Sequence, residues 1–223
     1  MPIFRIDGGL YYFAHVPKCA GTAVEVYLAE RFGEIGMRDT NFLGKPPNHR
    51  WSQSSPQHVD TATLSKLIPY SFFEGVFTVV RHPVDRLVSV FRFQRDLEDS
   101  LPAEIEFGEW LDGLDWYRRN APFYLDNHPR PMTDLVPGAA VVFHMEEGLD
   151  PVIDWLDKRA GNSDGPRAFR EVNSYQSRLT ARRLPQRPGP NVTPAIRRKV
   201  AALYPGDFER FGYDPMTGGR LAA

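Results

Sequence analysis

A single cysteine, Cys19, stands among 223 residues, which excludes an intrachain disulfide framework and any multi-cysteine metal centre. Nowhere do apolar residues run for the ~18 positions that a membrane span requires, and the first residues lack the basic-then-apolar pattern of a signal peptide. Excess charge is also missing. With 27 Lys+Arg against 28 Asp+Glu the net charge is −1, so the molecule as a whole is not built to coat nucleic acid. Internal repeats and low-complexity tracts are absent. These absences predict a cytoplasmic protein with an ordinary apolar core, and the length suits a single domain over residues 1–223.

The charge that is present is segregated. Residues 96–115 carry eight acidic side chains and no basic one, whereas residues 167–199 carry nine basic and one acidic, Glu171. The acidic run reads as a solvated face. The basic run has few apolar positions before residue 195 and fits that reading less well.

Apolar patterning predicts strands at Leu10–Val16, Val76–Val80 and Ala139–His144. Helices are predicted at Thr22–Phe32, Thr61–Leu67, from Pro83 with Leu87, Val88 and Phe91 on one face, at Phe107–Tyr117, and at Asp150–Arg159. A last helix begins at Thr193-Pro194, a capping hydroxyl followed by proline, with Ile196, Val200, Leu203 and Tyr204 as its stripe. Residues 33–57 read as an excursion, and 161–192, with four prolines, show no helical period. Strands alternating with helices predict an α/β fold: three αβα layers with a mostly parallel central sheet. Residues 175–192 are expected to form a surface loop, either permanently solvated or mobile until it orders over a bound ligand.

Chemistry concentrates in "HVPKCAGTA" and "RHPVDRLVSVF". A strand feeding a tight turn and then a helix aims backbone N–H groups and the helix dipole at one spot, which suits an anion. Lys18 precedes the only glycine of this turn, Gly21, whereas a nucleotide P-loop has its lysine after the second glycine. The alternative is a plain connection with a surface lysine. Arg81 ends the second strand, where a metal-dependent NTPase would carry an aspartate for Mg²⁺, and Ser89 follows on the next helix. A cation and a hydroxyl there suit a second phosphate, so the ligand reads as a nucleotide with two phosphate sites and no metal.

At these residues the chain resembles the sulfotransferases that use 3′-phosphoadenosine 5′-phosphosulfate (PAPS), a P-loop NTPase-like family. "HVPKCAGTA" is similar to their phosphosulfate loop, P-K-T/C-A/G-G/S-T-S/T, and "RHPVDRLVSVF" to their 3′-phosphate motif, R-x-P-x-x-R-x-x-S-x-Y/F. Weaker likeness lies at Val141–Glu147, in "VNS" at 172–174 and in "LYPGDFERFGYDP", as in the carbohydrate-type, membrane-associated branch and its soluble bacterial relatives. The resemblance implies that Lys18 meets the bridging oxygen between phosphate and sulfate. It implies that Ala20, Gly21, Thr22 and Ala23 bind the 5′-phosphate, and that Arg81 and Ser89 bind the 3′-phosphate. Ala23 departs from the pattern, which has a hydroxyl there.

The resemblance further implies PAPS as donor and a hydroxyl acceptor, of saccharide type. His58, in "SPQHVDTATL", resembles the histidine base of the heparan-sulfate uronosyl sulfotransferases, although their second histidine is Pro56 here. His15 is the competing base. Cys19, beside Lys18 and a helix start, reads as a small loop residue. The rival reading is a non-catalytic domain that binds PAPS or adenosine 3′,5′-bisphosphate as a sensor or scaffold; an early lysine argues against it.

Overall fold

In the computed structural model, which describes residues 2–172 and 174–221, β-branched and aromatic residues build four strands. These are β1 Ile3–Ile6, β2 Gly9–Ala14, β3 Gly75–Val80 and β4 Val141–His144, arranged in that order across one sheet. β2, β3 and β4 run parallel, with Phe13 opposite Phe77 and Val79 opposite Phe143. The strand expected to come first is therefore second. β1 pairs antiparallel with it, Ile3 opposite Tyr12, through Asp7-Gly8, both at positive φ (48° and 88°). Asp-Gly is a strong two-residue hairpin signal. The sheet is thus mixed, antiparallel at this one pairing.

Nine helices are described: α1 Gly21–Phe32, α2 Thr61–Leu67, α3 Pro83–Arg92, α4 Phe107–Asn120, α5 Met132–Leu135, α6 Asp150–Ala160, α7 Tyr175–Arg182, α8 Pro194–Leu203 and α9 Pro205–Phe211. Successive strand residues face opposite sides, and the core divides accordingly. Phe13, Phe77 and Val79 pack with Val24 and Leu28 of α1 and Val152 and Leu156 of α6. Tyr12, Ala14 and Val76 pack with Val59, Leu64 and Phe73. A third cluster gathers Val80, Leu87, Phe91, Leu111, Val200 and Phe208. Each such side chain contributes about 1.5–3 kcal/mol by leaving water. No helix among the described residues is long and apolar enough to cross a membrane.

Three expectations need correction. Residues 161–192 are not without a helix, since α7 lies within them. Ser174 caps it by accepting a hydrogen bond from Ser177 N, and Leu179 is buried. The final helix is two: Tyr204 leaves the helical conformation and Pro205 starts α9, because proline cannot supply the next helical donor. The acidic run is a solvated face except at Asp96. Asp96 is buried, accepting from Arg95 and from Tyr175 Oη at 2.7 Å, and Asp112 pairs with Lys199 at 2.7 Å. The acidic and basic runs therefore meet each other. Asn173 of "VNS" lies outside the described residues.

Candidate active site

The connection from β2 to α1 is compact because two non-glycine residues, Lys18 (φ 69°) and Ala20 (φ 59°), take the left-handed conformation. Such residues cost of order 1–3 kcal/mol each and persist only where the surroundings enforce them. Ala20 occupies the N-cap position of α1 without a side-chain cap. Its carbonyl accepts from Ala23 N and Val24 N, so the N–H groups of Gly21 and Thr22 have no partner among the described residues, whereas that of Ala23 is committed. Gly21 is required on steric grounds as well. A Cβ there would lie 1.9 Å from His15 Nε2. The His15 ring is fixed in that place by a 2.6 Å bond between its Nδ1 and Glu25 Oε1, while Glu25 Oε2 pairs with Arg38 at 3.2 Å.

Lys18 turns into a cleft of about 590 Å³, lined also by Ala20, Gly21, Thr22, Ala23, His58, Arg81 and Ser89. The residues expected to bind phosphate or accept the proton thus line one cavity, and His15 borders it too, whereas Cys19 does not. Lys18 Nζ sits 4.2 Å from the centroid of Phe93 and forms no ion pair among the described residues. Burial, then the charges of Arg178 and Arg81, lower its pKa to about 8. Phe93 belongs to a π-helical turn, Phe93–Leu97, that continues α3; such turns often mark functional sites. Cys19 is fully buried, and burial pushes its thiol up to about 12, so it is an inert loop residue.

His58 ends a 3₁₀ turn, Pro56–His58, just before α2. Its Nδ1 lies 2.7 Å from Asp126 Oδ2, which also accepts from Ser55 Oγ, while Asp126 Oδ1 accepts from Ser55 N. Burial alone would raise the pKa of Asp126, but the bond to His58 and those from Ser55 outweigh it and hold the carboxyl below its usual range. An ionised carboxylate only accepts, so His58 Nδ1 carries a proton, and in the neutral ring Nε2 is the acceptor. Leu125, Asp126 and Asn127 are all at positive φ (51°, 55° and 63°). This strained triplet brings Asp126 under His58, and Asn127 Nδ2 donates to the His58 carbonyl.

His128 follows directly. Its ring stacks on Phe93 at 5.5 Å and meets His58 edge-on at 5.1 Å, while His15 meets His58 from another direction at 4.7 Å. Burial, then the charges of His58 and Lys18, lowers the pKa of His128. His58, Asp126 and His128 present ligand atoms within 4.8 Å of one another, the spacing of a metal site. The oxygens of Asp126 are, however, already engaged by Ser55 and His58.

Arg86, fully buried, fastens these parts together. Its Nε donates to Pro17 O, and one terminal nitrogen donates to His128 O and Arg130 O at 2.7 and 2.8 Å. Nothing in the sequence reading singles out Asp126, His128 or Phe93, and Arg178 stands in it only among four arginines of 175–192, with Arg182, Arg183 and Arg187, one of which could meet the 3′-phosphate. The one available signal was Asp126-Asn127, a pair that tolerates left-handed backbone.

Comparison with curated proteins and with solved structures finds no match. A sequence profile described as the sulfotransferase family does match, over residues 10–214, a span that includes the lysine-bearing loop, the strand ending in Arg81 and the His58–Asp126 pair. The chain belongs to the sulfotransferase family.

Proposed function

We propose that the protein transfers a sulfuryl group from PAPS to a hydroxyl acceptor of carbohydrate type. One observation carries this reading: a lysine without an ion pair and a histidine with an unbonded ring nitrogen, among the described residues, line the same cleft. The acceptor hydroxyl attacks sulfur in line, its proton passing to His58 Nε2. The S–O bond to the 5′-phosphate breaks and its electron pair leaves with adenosine 3′,5′-bisphosphate. Lys18 neutralises the charge that grows on that oxygen, an interaction stronger in the transition state than before it. The N–H groups of Gly21 and Thr22, with Ala20 and Ala23 shaping the turn, receive the 5′-phosphate. Arg81 and Ser89 receive the 3′-phosphate. Ala23 contributes van der Waals surface only, because its N–H is already bonded.

Chain-wide, this is a three-layer, P-loop-like unit over residues 1–223, and its one reduced cysteine suits a cytoplasmic setting. The rival, a nucleotide sensor without catalysis, has no use for a histidine whose tautomer is set by Asp126. Metal plays no part in the reaction as proposed, since Arg81 stands where a magnesium carboxylate would be.

Thermal shift tests the donor assignment. Adenosine 3′,5′-bisphosphate at ~100 times its Kd is expected to add about 2.7 kcal/mol of stability, with ATP and Mg²⁺ adding far less. Labelled PAPS should pass its sulfuryl to members of a saccharide, lipid and phenol panel, with turnover unchanged by EDTA. Equal stabilisation by ATP, or no transfer to any acceptor and no hydrolysis of PAPS, would overturn the reading.

A further inference from the structure

α7 is a fixed element, and its attachment aims one arginine. Tyr175 Oη donates to Asp96, the Arg92 guanidinium lies 3.8 Å over the Tyr175 ring, and Arg182 donates to Leu97 O. Tyr175 and Leu179, four residues apart, thus face the π-helical turn and the core, and Arg178 faces the cleft. Its guanidinium carbon is 4.8 Å from the centroid of Phe93, the same ring that carries Lys18 at 4.2 Å. Neither cation has an ion-pair partner among the described residues. Glu98 acts on both by charge, but burial raises its own pKa and weakens it as a counter-charge.

Two cations held on one ring without a carboxylate between them repel each other unless an anion separates them. The position of that anion follows from Phe93. His128 stacks on this ring and touches His58 edge-on, so Phe93 extends from the leaving-group lysine toward the base. In an in-line displacement sulfur lies between leaving group and base. The 3′-phosphate end is marked instead by Arg81 and Ser89.

Resting on the sulfuryl-transfer reading above, we propose that Arg178 is a second catalytic cation, hydrogen-bonding the non-bridging oxygens of the sulfuryl group while it passes from the 5′-phosphate oxygen to the acceptor oxygen. Its planar fork suits two oxygens of one tetrahedral group. The bond-making and bond-breaking are those given above. Arg178 holds charge in place and exchanges no proton.

The experiment compares wild type with Arg178→Gln on labelled PAPS, with release of sulfate to water read alongside transfer to any active acceptor. Removal of one preorganised donor is expected to slow both by about 10²-fold. The Kd for adenosine 3′,5′-bisphosphate, which lacks the sulfuryl group, should weaken by less than about tenfold. Arg178→Lys should recover part of the rate. The alkaline limb of kcat/KM should also move. Lys18 is faced by Arg178, Arg81, Glu98, Cys19 and His128, and deleting the first of these raises its pKa, so the fall in activity above about pH 8 shifts upward. A thermal shift with the bisphosphate shows that the variant site is folded. Equal losses in rate and bisphosphate affinity would make Arg178 a nucleotide-binding residue, and unchanged rates would make it a brace for α7; either overturns the proposal. If wild type neither binds the bisphosphate nor releases sulfate from PAPS, the sulfuryl-transfer reading itself falls.

Discussion

At the scale of single residues, the chemistry rests on protonation states set by neighbours. His58 presents an acceptor nitrogen because Asp126 holds the proton of the other. Asp126→Asn would let the amide donate to Nδ1, moving the ring proton to Nε2 and removing the acceptor. We expect His58→Ala and Asp126→Asn each to lower kcat by ~10²–10⁴-fold, the usual worth of a positioned base, while bisphosphate affinity is kept. Because the two act as one unit, the double variant should be no slower than His58→Ala alone. Additive losses measured by steady-state kinetics would separate Asp126 from the base. That Lys18, Gly21, Arg81, Ser89 and His58 belong together is legible in the sequence, because each sits in a short recognisable run, and the structure brings them to one cleft. Asp126 and His128 are not, since they lie 68 and 70 residues beyond His58 and meet it only through a strained turn that the fold enforces.

At the scale of elements, α7 shows how a helix escapes pattern reading. Its apolar stripe is one leucine, Leu179, and the rest of its hold is polar, through Tyr175 on Asp96 and Arg182 on Leu97 O. A period of 3.6 cannot be seen in one apolar residue. The longer helices α1, α3 and α6 were legible because several buried positions repeat on one face. β1 escaped the reading, and its one signal is Asp7-Gly8, whose left-handed pair turns the chain back on itself. Leu179→Ala is expected to lower stability by about 2–5 kcal/mol if the cavity stays open, read as a fall in Tm. Hydrogen exchange should already be slow across 175–182 without ligand, against the expectation of a mobile loop. Complete exchange of these amides within seconds would mean that α7 is not docked.

At the scale of the whole molecule, buried histidines tie stability to pH. Burial lowers the pKa of His15 to about 4, against the pull of Glu25, and lowers that of His128 as well. Both are neutral in the fold and take up protons on unfolding below their ordinary value of about 6.5. The unfolded chain then binds more protons, so stability rises with pH through this window. It should decline as the pH falls from about 6.5 toward 4, by up to about 1.4 kcal/mol for each unit through which one histidine titrates. Asp126, whose folded pKa is depressed, works in the same direction but only at lower pH. Urea midpoints between pH 4.5 and 7.5 measure the slope, and a flat profile would show that these rings are charged or solvated in the fold.

Arg86 spans the two halves of the cleft through three carbonyl oxygens, those of residues 17, 128 and 130. Every amino acid carries that atom. The clamp therefore reads the course of the main chain and is blind to what hangs from it. From position 130 the clamp takes only the carbonyl, so one guanidinium keeps the lysine-bearing loop in register whatever the side chains of the opposite segment do. In such an arrangement the half that carries Lys18 stays constant as a fixed part, and side chains on the opposite half can change without loosening the clamp.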